Sequence, residues 1–200
     1  MDDRRHRCPV FCTANIPVTT LNYLLECSEE YLSEFDNLRT PMPIYHYMVI
    51  MDSKDLSTIT EGSSPPVTSC PTAFLGHTLQ EIHDWFQTNI SQPNAPGYSS
   101  SCFLVLDEES EEDDTCIFVC TQDEAPGEIH SLRCGFELAL QNAVVCGIGG
   151  DSMEEGVLGS YMRSGVTMTK ENYKLALNGG CYIEDGEVKV DQACRDFLNW

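Results

Sequence analysis

The chain has 200 residues, 42% of them hydrophobic and 22% charged, with 14 Gly and 10 Pro. That apolar fraction excludes a wholly disordered chain, and the modest Gly and Pro content excludes a fibrous one. Eleven Lys and Arg against 32 Asp and Glu leave a formal net charge of −21, which argues against general nucleic-acid binding, because phosphate contacts need a basic footprint.

The chain opens with Arg4, Arg5 and Arg7, but Thr13, Asn15, Pro17, Thr19 and Thr20 interrupt the apolar residues after them. The apolar core of a signal peptide is therefore not expected. No window of about 18 apolar residues occurs, so no membrane span is expected either. An intracellular, cytoplasmic protein is the resulting expectation. Pro9 and Pro17 forbid a continuous helix, and residues 1–18 read as an extended arm. A single globular domain is expected over 19–200.

Leu21, Leu24, Leu25, Tyr31, Leu32, Phe35 and Leu38 recur at helical spacing, with Thr19 or Thr20 as N-cap and Thr40-Pro41 as the stop. Residues 44–51 form a nearly continuous apolar run that suits a buried strand. Residues 52–70 read as a Pro/Ser-rich loop with room for a short helix at 54–58. Thr78-Leu-Gln-Glu81 is a capping box opening a helix whose buried stripe is Leu79, Ile82, Trp85 and Phe86. A second loop comes near 91–101, around Pro93, Asn94, Pro96 and Gly97.

Residues 102–106 and 116–120 read as two strands of an antiparallel hairpin with a wide acidic loop, and Ala125-Pro126-Gly127 as the next turn. The pattern predicts a helix over 132–142 and a strand over 144–148. Ser152-x-x-Glu155 caps a short helix. Thr169 caps another that runs to Leu177 before Gly179-Gly180. Residues 181–190 resemble a hairpin turning at Asp185-Gly186, and Asp191 caps a terminal helix with Cys194, Phe197 and Leu198. This mixture predicts an α+β or α/β fold: a mixed β-sheet covered by helices.

One stretch carries a resemblance. Phe103-Leu-Val-Leu-Asp107-Glu108, the Ile117-Phe-Val119 run, Arg133, Gly-Asp-Ser-Met-Glu-Glu at 150–155 and the Gly165-Val166 pair succeed one another over about 103–168. Together they resemble a domain family of unknown function found in bacteria and fungi. The resemblance implies no activity. It supports one folded unit made of the hairpin and the segments after it.

Several residue groups could carry function. Between Asp107 and Glu124 lie nine acidic residues and no Lys or Arg. The binding candidates are Asp107, Glu108, Glu109, Glu111, Glu112, Asp113 and Asp114. Such density would attract a basic protein or a hard cation. The plain alternative is a solvated hairpin tip. The run has no Gly, so the dedicated calcium-loop pattern is not met. Gly147-Ile-Gly-Gly150 comes after the expected strand, but neither the dinucleotide nor the P-loop spacing is present.

The eleven cysteines are 8, 12, 27, 70, 102, 116, 120, 134, 146, 181 and 194. Several sit inside apolar runs, where reduced thiols pack as small hydrophobes. His6, Cys8 and Cys12 form a possible zinc half-site that lacks a second pair. A cysteine nucleophile needs a positive neighbour or a helix N-terminus. Cys134, beside Arg133 and four residues after His130, is one candidate, and Cys70 near His77 is the other. No cofactor is expected. The favoured function is an acidic interaction module for a basic partner. The alternatives are a cysteine-dependent hydrolase or transferase and a metal-binding protein.

Overall fold

The computed structural model describes residues 7–33, 47–59, 61–69, 73–91, 95, 97–122, 128–147, 157–177, 181–184 and 186–190. Five strands form one mixed sheet: β1 (Cys8–Cys12), β2 (Met48–Ile50), β3 (Cys102–Leu106), β4 (Thr115–Cys120) and β5 (His130–Gly135), in the order β2-β1-β3-β4-β5. β1 runs parallel to both β2 and β3, whereas β3-β4 and β4-β5 are antiparallel. Helices α1 (Val18–Ser33) and α2 (Leu79–Asn89) connect the parallel strands. Next come α3 (Glu109–Asp113) between β3 and β4, then α4 (Phe136–Gly147), α5 (Val157–Ser164) and α6 (Lys170–Leu177). A separate hairpin, β6 (Cys181–Glu184) and β7 (Glu187–Val190), lies against α5 and α6. Among the described residues no helix is long and apolar enough to cross a membrane.

Strand alternation sends side chains to two cores. Val10, Leu104, Phe118 and Leu132 face α1 and α4, together with Leu21, Leu24, Leu25, Phe136 and Leu140. Phe11, Val49, Phe103, Val105 and Val119 face α2, where Ile82, Phe86 and Ile90 meet them. Aromatic edges organise this second core, with Phe11 4.8 Å from Phe74 and 5.5 Å from Phe103, ring centre to ring centre.

The stretch expected as an arm supplies β1, an interior strand with every residue buried. Pro9 is tolerated there for a geometric reason. Val10 accepts a hydrogen bond from Met51 N–H, so its polar groups face β2. By alternation Pro9 faces β3, and the β1-β3 ladder starts only at Val10-Leu104. Its missing N–H therefore removes no ladder bond.

The expected helix over 132–142 divides in two. Residues 130–135 pair with β4 along their whole length, from Cys120-His130 to Thr115-Gly135. The helix starts at Phe136 and runs to Gly147, so residues 144–147 of the segment expected as a strand are helical. α4 is apolar nearly all round, and periodicity alone does not separate such a helix from a buried strand. The N-cap of α1 also differs. Pro17 O accepts from the N–H groups of Thr20 and Leu21, both at 3.1 Å, so Thr19 and Thr20 lie inside the first turn.

Other expectations match the structure: the β3-β4 and β6-β7 hairpins, the capping box of α2 and the cap at Thr169. The expected short helix at 54–58 is a 3-10 turn over Leu56–Thr58, capped by the Asp55 side chain. Thr40-Pro41, the 125–127 turn, the 152–155 cap, residues 148–150, Asp185 and the helix after Asp191 lie outside the described residues.

Candidate functional site

The strand order reverses beside β1, with α1 on one face of the sheet and α2 on the other. In open α/β sheets such a switch point is where ligand sites gather, at the carboxyl ends of the strands. Here those ends are Cys12 and Leu106. They stay zipped for one residue more, because Thr13 donates to Leu106 O from its N–H at 2.9 Å and from its hydroxyl at 3.2 Å. Gly76, at φ 75°, closes in from the other side, its N–H donating to Thr13 O at 2.8 Å. The acidic run leaves β3 directly at this end of the sheet.

The run is not an open loop. Asp107 and Ser110 lock it into a turn. Asp107 N–H donates to Ser110 Oγ at 3.0 Å, and the Ser110 hydroxyl donates back to the Asp107 carboxylate at 3.0 Å. Ser110 N–H also donates to Asp107 O at 3.2 Å. Ser110 is the one fully buried residue of the short helix α3. Acidic side chains at 109, 111 and 112 suit the positive end of a helix. Asp114 ends it in the left-handed region at φ 52°, a conformation that Asp adopts more readily than most residues.

Arg133 reaches this turn from β5. Its guanidinium pairs with the Asp107 carboxylate, donates to Thr115 Oγ1 at 2.9 Å and lies 3.2 Å from Glu109. Burial opposes ionisation of Asp107. The Arg133 guanidinium and the Ser110 hydroxyl outweigh it and hold the carboxyl below the usual carboxylate range. Arg133 is the first Lys or Arg after Lys54. That isolation, with the alternation Ser131-Leu132-Arg133-Cys134, is the sequence signal that picks it out as the clamp. The helical expectation for this segment hid it.

The seven acidic candidates therefore divide. Asp107 and Glu109 are tied to Arg133, while Glu108, Glu111, Glu112, Asp113 and Asp114 are exposed. At about 100° per residue a helical turn fans consecutive side chains around its axis. The carboxylates accordingly splay, and no group of three or more His, Cys, Asp or Glu among the described residues could hold a metal. The cation-loop expectation gains no geometry here.

The remaining candidates are not brought together. Cys134 is fully buried, with its Sγ 3.8 Å from Cys116 Sγ. The Cys116 thiol is pushed well up by its bond to Cys134 and by burial. His130 lies four residues back on the same strand, which at about 3.3 Å per residue is roughly 13 Å along it. Its Nε2 lies 3.7 Å from Glu128 instead. The thiol lies in the core, and the histidine is out of reach of it. His77 Nε2 sits 3.0 Å from Lys54 Nζ at the surface, and Cys70 lies outside the described residues. Cys8 and Cys12 are buried in β1, and His6 lies outside the described residues. The two thiols are core groups of the sheet.

No family model matches the chain, and no curated protein or solved structure matches it either.

Proposed function

We propose that the protein is an acidic docking module for a basic protein surface, with α3 and its flanking residues as the contact. The observation that carries this reading is the anchored turn. Exposed carboxylates at 108 and 111–114 stand on a segment that Arg133 and Ser110 pin to the end of the sheet. An anchored charge cluster loses less entropy on binding than a flexible tip does. Its attraction for a basic partner acts at long range and is screened by salt.

Capture experiments with the immobilised full chain test the proposal. Basic proteins are expected to bind at low salt and to be released as salt rises. Combined Glu111→Gln, Glu112→Gln and Asp113→Asn substitutions should weaken binding and flatten its salt dependence. Capture of neutral partners, or capture indifferent to salt and to these substitutions, overturns the reading.

A further inference from the structure

The sheet turns Cys8, Cys12, Cys102, Cys116, Cys120 and Cys134 onto the face that α1 and α4 cover, and Cys146 meets them from α4. Four sulfur pairs lie in or near contact: Cys120-Cys146 at 3.3 Å, Cys102-Cys146, Cys116-Cys134 at 3.8 Å and Cys8-Cys102 at 4.0 Å. The last two join neighbouring strands inside the sheet. The first and shortest joins the end of β4 to the last turn of α4.

We propose that Cys120 and Cys146 are an oxidation site, closing to an intramolecular disulfide when the protein meets hydrogen peroxide. Access comes through the helix end. Cys146 is buried, but it sits one residue from the exposed Gly147, in a turn whose last carbonyls have no partner within the helix. Outside the helix the turn is tied by Gln122 Nε2, which donates to Cys146 O at 3.1 Å, by the Cys146 thiol, which donates to Ser101 O at 3.4 Å, and by the Cys102 thiol, which donates to Ala143 O at 3.8 Å and meets Cys146. Helix ends open locally at a small fraction of the cost of global unfolding. Cys134 and Cys116, by contrast, are fully buried in the core between the sheet and the helices that cover it.

The chemistry balances with peroxide as the sole oxidant. In the opened turn the Cys146 thiol gives its proton to water, and the thiolate sulfur attacks one peroxide oxygen. The O–O bond breaks, the S–O bond forms, and the departing hydroxide takes up a proton as water, leaving a sulfenic acid. When the turn closes again, Cys120 sulfur attacks the Cys146 sulfur. The S–O bond breaks as the S–S bond forms, and hydroxide leaves with the Cys120 proton as a second water. Two thiols and one peroxide thus give one disulfide and two waters. The product ties the last turn of α4 to β4.

The test treats the reduced full chain with hydrogen peroxide in native buffer and in urea, then maps peptides without reductant. The expected result is a linked Cys120-Cys146 peptide, lighter by two hydrogens, that dominates only in the native sample. Amide exchange over 143–147 should slow several-fold in the oxidised protein. Cys146→Ser should abolish the linked peptide. If that variant does not fold, the native-against-urea comparison decides alone. Native oxidation that leaves both thiols open to alkylation, or that links other pairs in preference, overturns the proposal. So does an equal yield of the pair in urea.

Discussion

The Arg133 clamp shows how one cation orders an acidic segment. Its guanidinium is planar and presents several donors at fixed angles, which lets it serve Asp107, Thr115 and Glu109 together. Removing it leaves Asp107 partly buried beside the end of the sheet without its counter-charge. Arg133→Ala should therefore lower stability by roughly 2 kcal/mol in urea unfolding, with Arg133→Lys restoring only part of that. The pH dependence comes from the lowered pKa of Asp107. Its contribution is complete above the unfolded carboxyl value of about 3.9 and disappears as pH falls through the lower folded value. Urea midpoints measured across the acid range should fall less steeply for Asp107→Asn than for the parent chain. Identical slopes would remove Asp107 from the account.

At the level of elements, α2 is legible in the sequence because its signals are local. Thr78 Oγ1 accepts from Glu81 N–H, and the Glu81 carboxylate accepts from Thr78 N–H at 2.8 Å. Residues three apart make the cap, and residues four apart make the stripe of Ile82 and Phe86. Thr78→Ala should cost about 1 kcal/mol in a thermal melt, with Thr78→Ser close to neutral. Phe86→Ala removes a fully buried ring packed 4.7 Å from Phe103 and should cost about 3–5 kcal/mol, with the cooperativity of unfolding retained. β5 and α4 are not legible in the same way. His130–Gly135 becomes a strand because β4 is there to pair with it, and nothing within six residues of sequence announces that partner. α4 carries the buried polar pair Gln141 and Asn142, which find Tyr173 Oη at 2.7 Å and Met168 Sδ at 3.8 Å in later segments. Their presence in an apolar run looks like a fault until α6 is in place.

On the scale of the whole molecule, the net charge of −21 works against compaction, because like charges repel across the surface. Adding salt up to about 0.15 M should therefore raise the melting temperature, as the Debye length shortens to about 8 Å. A melting temperature that falls over that range would mean that screened ion pairs such as Arg133-Asp107 outweigh the global repulsion. The two tendencies can be separated. Charge-neutralising substitutions at Glu111 and Glu112 should shrink the salt response, whereas Arg133→Ala should enlarge it.

Residue types and short spacings by themselves determined a mixed sheet covered by helices, the two hairpins, the capped helix α2 and the address of the acidity between β3 and β4. Each rests on contacts within a few residues or on a period that burial imposes. Only the tertiary structure decided the rest. It put the expected arm into the middle of the sheet, where Pro9 costs nothing because the ladder to β3 has not begun. It turned the acidic loop into an anchored turn by bringing Arg133 across from β5. It moved Cys134 from candidate nucleophile to core, and set Cys146 3.3 Å from Cys120. All of these depend on pairings between residues far apart in the chain. Such pairings are selected by the total surface buried when sheet and helices close on each other, a quantity that no local stretch of sequence contains.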